Sequence, residues 1–580
     1  MRDGPEYASL VGGGGGDSAA LDDLSLAAFA ARGAYYRGLR EDLRALEAEF
    51  GGEGALNSDL NFVVLRDQVE TWLEGEPFAA HLMPVSCMEG PQIDLLQLLR
   101  AMPSGTLAER AAVLARLRAF PEQATQVREL LAEGLRQGRT MPRVCLEAVP
   151  GQIDAVLAGA RADPRKTAFF DAFRAELAAA PPGVASPAEA PALAEAQREE
   201  AAAAIRDVVA PAFEDMRRFL LDVYIPGART SHSCSDLPDG QAHYVQCLKF
   251  HTSTSLSPEE IHELGTREVE RVRGEMEAVL QKLGHAEGGA DLASFLTALR
   301  DSPDHIAPSA EALLGGYRRR LADVQTRLPE LFHDPPTLPL DVVETPAHQA
   351  GSAPAAYYFS QGVGRPGLFY VNTHDLPSRP TYQTDVLLLH EAVPGHHLQA
   401  AHACALQERG ELLAFRANLE DRRYNLPPSR RPFYSAYVEG WALYCEGLGA
   451  ELGLYDDPLQ EFGRLSFEAL RACRLVVDTG LHALGWTQKQ AESYMLQNSA
   501  LSRREVETEV VRYLAWPGQA VSYKVGELFI RRLRARLEAE HPGGTGSPEW
   551  PDALRDFHET LLRHGSCPLD VFEHLLFGTE

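Results

Sequence analysis

The stretch DVLLLHEAVPGHHLQAAH, residues 385–402, holds the densest set of side chains able to do chemistry. His390 and Glu391 stand together, and a second pair, His396 and His397, follows Pro394-Gly395. The other His-Glu dipeptides, His262-Glu263 and His558-Glu559, have no second histidine close behind. In the pattern HExxH, two histidines at i and i+4 share a helix face and bind zinc, and the glutamate is general base for the metal's water. Here the spacing is six or seven. On a straight helix His397 would share the face of His390 but lie about 10 Å along the axis. Nitrogens on one zinc lie only about 3–3.5 Å apart, so a straight helix cannot build the site. Proline and glycine break or bulge helices. The expected geometry is an HExxH helix with Pro394 and Gly395 extruded before the second ligand. This favours His396 as ligand and His397 as its supporting neighbour. The competing reading is a capped helix end with surface histidines.

A zinc site of this kind needs a third protein ligand and keeps a fourth position for water. AYVEGWALYCEGLGAELG, residues 436–453, offers Glu439 and Glu446 on one helix face among large apolar residues. A carboxylate in such company is costly to bury unless paired or metal-bound, and Gly440 lets another backbone come close. Glu439 is the expected third ligand, with Glu446 as alternative or supporting partner. Farther on, Asp478 and His482 are four apart in an apolar run. His482 is a candidate catalytic group, and such pairs support ligands or bind substrate. RYLAWPGQAVSYK brings Arg512, Tyr523 and Lys524 around a Pro-Gly turn. Tyr523 could hold an oxyanion, and Arg512 or Lys524 a substrate carboxylate.

The elements that must position these groups read as mostly helical. Residues 31–50, 106–120 and 171–180 carry apolar residues at three- and four-residue spacing. Ser257, Pro258 and Glu260 form a capping-box helix start. Strands are expected only at 337–346, 355–360 and 367–373, which are rich in Val, Tyr and Phe. The last contains Tyr370, a candidate substrate-binding residue, and is expected at a sheet edge where it could pair with a peptide. Residues 1–20 read as a flexible tail, and the Ala/Pro-rich stretch 178–204 as a loop followed by a surface helix from about 191.

The whole chain narrows the function class. Its 580 residues include 82 acidic and 55 basic side chains, for a net charge of −27. A phosphate-backbone binder needs a basic footprint, so nucleic acid and anionic membranes are not expected partners. No apolar run is long enough to span a bilayer, and the N-terminus lacks a basic-then-apolar leader pattern. Eight scattered cysteines without a CxxC pair read as reduced thiols of a cytoplasmic protein.

HEAVPGHHLQ, VEGWALYCEGL, RLVVDTGLHALGW and RYLAWPGQAVSYKVG, in that order, resemble the family called domain of unknown function 885. So do SCMEGPQIDLLQLL, FHTSTSLSPEEIHELG and GRPGLFYVNT. The likeness runs from about residue 25 to 580. It implies a mainly α, large two-lobed fold with a deep cleft and one small β-sheet. That fold is similar to the helical zinc metallopeptidases of the angiotensin-converting enzyme, thimet oligopeptidase and thermostable carboxypeptidase kind. The resemblance implies Zn2+ on His390, His396 and Glu439, with Glu391 polarising water, and the motif blocks match without departure. One catalytic unit is expected, with an N-terminal portion 21–340 and a metal-site portion 341–580.

The expected activity is hydrolysis of short peptides, of carboxypeptidase or oligopeptidase type, through a metal-activated water. A second copy in a homodimer is the one protein partner expected. Two other readings stand beside it: a zinc hydrolase of a non-peptide amide or ester, and an inactive peptide-binding helical scaffold. A His/His/Glu set also accepts manganese, cobalt or nickel.

Overall fold

The computed structural model describes residues 4–10, 19–174, 177, 190–284, 291–302, 304–346, 350, 353–360, 366–417, 427, 428, 430 and 432–578. Helices dominate, and several begin where the sequence supplies a cap. The N-terminal part includes α1 (Leu26–Glu49), α2 (Leu107–Gln137) and α3 (Ala190–Ala204). Thr106 and Glu109 exchange bonds as the capping box of α2, satisfying amides that the helix itself leaves unpaired. Gly138, at φ 70°, ends it in the left-handed conformation. Farther on, α4 (Pro258–Lys282) starts on the Ser257–Glu260 capping box, with Pro258 in its first turn.

The chain groups into two compact units. One comprises Met1–Leu56, Gln68–His243 and Glu420–Arg431; the other comprises Asn57–Asp67, Tyr244–Leu419 and Pro432–Glu580. Within the second unit, α4 packs along a C-terminal helix over much of its length. Within the stretch read as a tail, Pro5–Leu10 is helical, and Glu6 is buried and accepts from the Gln123 amide at 2.6 Å. The rest of the tail, 1–3 and 11–18, lies outside the described residues, as do 178–189 of the Ala/Pro stretch and most of 175–180. The helix expected from about 191 is α3.

The second unit contains the three strands and the candidate site. β1 (Leu340–Glu344), β2 (Ala356–Phe359) and β3 (Gly367–Val371) form one sheet of order β1-β3-β2. β1 runs parallel to β3 and β2 antiparallel to it. β3 is thus the central strand. The expectation that 367–373 offers a free edge to a peptide is wrong, because both of its hydrogen-bonding edges are taken. Tyr370 pairs across the sheet with Tyr357, their rings stacked at 4.8 Å.

Six further helices complete what is needed: α5 (Thr384–Glu391), α6 (His396–Glu408), α7 (Ser435–Glu451), α8 (Pro458–His482), α9 (Arg503–Ala515) and α10 (Ser522–Glu540). Leu387, Leu388 and Leu389 of α5 join Trp441 and Tyr444 of α7 and Phe369 of β3 in one apolar core. Burial of such side chains contributes roughly 1.5–3 kcal/mol each. α7 and α10 touch backbone to backbone. A Cβ on Gly440 would lie 2.5 Å from the Gly526 Cα, and one on Gly526 would lie 1.8 Å from the Ala436 carbonyl oxygen. Only glycine permits that crossing, and it brings Glu439 on α7 and Tyr523 on α10 into one neighbourhood. All eight cysteines are free, and all but Cys87 are buried.

Candidate metal centre

The motif segment folds as two helices with a tight reversal between them. α5 is anchored at its start by Arg320, which grips Asp385 with two bonds of 2.8 and 2.9 Å. It stops at Ala392, whose backbone (φ −103°, ψ −106°) leaves the helical region. Gly395 then returns the chain onto the end of α5, where a Cβ would sit 2.0 Å from the His390 carbonyl oxygen and 2.4 Å from that of Leu389. Trp441 Nε1 donates to the Pro394 carbonyl at 3.0 Å and pins the reversal from below. The four residues 392–395 thus replace a regular turn, and α6 opens with His396.

This reversal brings His390 and His396 side by side, with ring centroids 4.9 Å apart and planes at 86°. Glu439 Oε2 lies 3.5 Å from Nε2 of His390 and 3.4 Å from Nε2 of His396. One ligand atom from each of the three residues falls within 4.8 Å of the others. The Glu439 oxygen is buried and has no hydrogen-bond partner. Burial opposes a charge on Glu439, yet the two imidazoles hold its carboxyl well below the usual carboxylate range. His390 responds in kind: burial disfavours its protonation, but Glu439 and Glu446 outweigh it and push its pKa up to about 9. The carboxylates attract positive charge here, as protons on imidazole or as a divalent cation. Two imidazoles, one carboxylate and an orphaned carboxylate oxygen fit a zinc donor set.

The neighbouring groups are arranged around this cluster. Glu446 Oε1 lies 2.8 Å from His390 Nδ1, and Arg471 Nη2 comes within 3.2 Å of the same oxygen. Glu391 follows His390 directly, and its Oε2 accepts the Tyr358 amide of β2 at 2.9 Å. Tyr523 lies with its ring nearly parallel to that of His390, at 6.3 Å and 16°. Its hydroxyl accepts from Arg512 at 3.2 Å, and Arg474 sits 4.5 Å above its ring.

A family model for bacterial proteins of unknown function matches residues 5–576. The chain belongs to DUF885. Two solved structures resemble this DUF885 protein along nearly its whole length. A candidate lipoprotein from Colwellia psychrerythraea is 26% identical, with a TM-score of 0.82 over 98% of this chain and 95% of that one. A candidate lipoprotein of unknown function from Shewanella oneidensis is 18% identical, with a TM-score of 0.67 over 99% and 96%, and shares the fold. No curated protein matches the chain. No helix among the described residues is long and apolar enough to cross a membrane.

Several sequence-selected residues of the DUF885 chain sit elsewhere. His397 faces away from the cluster, with Nε2 2.9 Å from the Leu338 carbonyl and Nδ1 3.3 Å from the Tyr358 hydroxyl. It ties α6 to the sheet, and burial lowers its pKa. Lys524 is the clearest correction. It is fully buried, with Glu468 at 2.7 Å, Glu527 at 2.8 Å and Glu268 at 3.2 Å, so its charge is spent inside the protein and cannot hold a substrate. His482 is 0% exposed, its Nε2 facing the Tyr513 carbonyl at 3.0 Å. That position locks α8 to α9 and leaves no surface for a reacting group. Asp478 accepts from the Tyr244 hydroxyl at 2.6 Å and the Gly518 amide at 3.0 Å, which fixes the Pro-Gly turn. Sequence reading passed over Arg471, Arg474 and Glu509. The available signal was two arginines three apart directly before the apolar run Leu475-Val476-Val477.

Proposed function

We propose that this DUF885 protein is a zinc-dependent hydrolase of peptide bonds in short peptides, kin to the helical zinc metallopeptidases its motifs resemble. One observation carries the reading: His390 and His396 nitrogens face a buried, unpartnered Glu439 oxygen, with Glu391 next in sequence to the first histidine. His390, His396 and Glu439 would hold the ion, and when bound it would bring the pKa of a water toward about 7 and polarise a carbonyl.

The chain's own residues supply the remaining steps. Glu391 is held at Oε2 by the Tyr358 amide. Its other oxygen takes a proton from the attacking water and returns it to the leaving amine nitrogen. The Tyr523 hydroxyl accepts from Arg512, which leaves its own proton to donate to the carbonyl oxygen as that atom gains charge. Glu446 fixes the His390 ring through Nδ1, keeping Nε2 turned to the cluster. The proposed location is the cytoplasm, on the eight free thiols; recovery of the native protein in membrane fractions would overturn that part.

The reading is tested by metal analysis and hydrolysis of a mixed peptide library, with simple esters alongside. Wild type should carry about one zinc per chain and cleave peptides. Glu391→Gln should keep the zinc and lose cleavage. A wild type that takes up no stoichiometric zinc sinks the proposal, and cleavage of esters alone would move it to the non-peptide hydrolases.

A further inference from the structure

Arg474 and Arg512 share a single carboxylate. Arg474 Nη2 lies 2.8 Å from Glu509 Oε2, and Arg512 Nη1 lies 3.3 Å from Glu509 Oε1. The Tyr513 hydroxyl donates to the same Glu509 at 2.7 Å. Among the described residues no second carboxylate pairs with either guanidinium. Arg471 does not change the balance, since Glu446 is its partner. Asp478 is spent on Tyr244 and Gly518.

Two cations against one anion leave an excess positive charge in a poorly hydrated place. The Arg474 side chain is 6% exposed, and its Nη1 is buried with no hydrogen-bond partner. A charged donor left unpaired in such a place is costly, unless a ligand supplies the acceptor. Arg512 is the more accessible of the two, at 17%. Both converge on Tyr523, Arg474 over the ring face and Arg512 on the hydroxyl. Tyr523 lies 6.3 Å, ring to ring, from His390. A peptide spans about 3.3–3.6 Å per residue, so an anion at this face would sit one or two residues from a bond held at the cluster.

We propose that the Arg474–Arg512 pair beside Tyr523 binds a carboxylate of the substrate, so that the protein prefers peptides whose free C-terminal carboxylate lies one or two residues beyond the scissile bond. This rests on the hydrolase reading for the word substrate, while the anion site itself can be measured without turnover. The probe is a matched pair of N-acetylated dipeptides, one a free acid and one an amide. Their binding is read by calorimetry on full-length Glu391→Gln protein, zinc-loaded and metal-free. The acid should bind at least about tenfold tighter than the amide in both forms. Arg512→Gln should bring the ratio near unity, and Arg512→Lys, which keeps charge but loses the two-pronged donor, should restore part of it. Equal binding of acid and amide, binding of neither, or a preference that survives Arg512→Gln overturns the proposal. If Arg512→Gln does not fold, the acid–amide comparison on the intact face decides alone. An acid preference without any peptide cleavage by zinc-loaded wild type would remove the hydrolase reading and leave the carboxylate site standing.

Discussion

Glu446 stands between His390 and Arg471, its Oε1 2.8 Å from the imidazole Nδ1 and 3.2 Å from the guanidinium. The arginine holds the carboxylate, and the carboxylate sets which ring nitrogen of His390 faces Glu439. Groups that orient a ligand in this way typically contribute 10–100-fold to metal affinity. Glu446→Gln should therefore weaken zinc binding by about that factor while leaving the three ligand residues in place, as read by competition with a chromophoric chelator. Unchanged affinity would assign Glu446 to packing alone.

The two adjacent histidines should separate cleanly. His396 points to Glu439, whereas His397 bridges the Leu338 carbonyl and the Tyr358 hydroxyl. His396→Ala should abolish stoichiometric zinc. His397→Ala should keep zinc and lose about 1–3 kcal/mol of stability, from a buried carbonyl and hydroxyl left unpaired. The reverse pattern would mean that α6 is rotated by one residue from the position described.

Gly395 controls whether the reversal can form. A methyl group there meets the His390 carbonyl oxygen at 2.0 Å, and main-chain atoms cannot step aside as a flexible side chain would. Gly395→Ala should lower stability by about 1–3 kcal/mol or more and lose zinc together with it, measured by thermal unfolding and metal content. A stable, metal-free variant would show that the reversal tolerates a Cβ and that zinc depends on something else.

How much of this was legible beforehand depended on distance along the chain. The histidines, Pro394-Gly395 and Glu439 could be read because ligand chemistry and helix-breaking residues are local signals. The close approach at Gly440 was also readable, since a glycine beside a buried carboxylate is unusual. Strand order was not: nothing in GLFYV says which strands flank it, and β1 reaches it from 27 residues upstream in register (Leu340 beside Gly367). Lys524 misled for the same reason. A lysine near a Pro-Gly turn looks available until α4 and α8 deliver Glu268 and Glu468 to it. The excess charge at Arg474 and Arg512 was equally hidden, because it appears only once α8, α9 and α10 are packed together.

Asp478 should leave a signature in the pH dependence of stability. Burial raises its carboxyl, against the opposing bonds from Tyr244 and Gly518, to about 7 from an ordinary value of 3.8. Between about pH 4 and 7 the folded protein holds a proton here that the unfolded chain has released. This group's contribution to stability therefore falls as pH rises through that window, by up to about 1.4 kcal/mol per unit, and is flat above it. Buried neutral histidines act in the opposite sense. Burial lowers His558 to about 3 and His402 to about 4 from 6.5, so their contribution is complete above 6.5 and is lost as pH falls. Comparing Asp478→Asn with wild type cancels the histidines. The variant should gain on wild type in thermal midpoint between pH 5 and pH 8, and parallel curves would exclude a raised carboxyl.

Lys524 supplies the sharpest contrast between a cation that binds substrate and one that holds the fold. It is buried against Glu268, Glu468 and Glu527, and Glu468 also receives Arg464 and Arg271. Lys524→Met would keep the volume of the stem and strand those carboxylates with one cation fewer. Breaking a buried ion pair from one side costs about 3–5 kcal/mol. The variant should lose that much stability in denaturant unfolding. Where it remains folded at low temperature, it should keep the acid-over-amide preference of the wild type, because the preference belongs to Arg474 and Arg512. A variant of unchanged stability that lost the preference would return Lys524 to the role first expected of it and would place the substrate carboxylate on α10 alone.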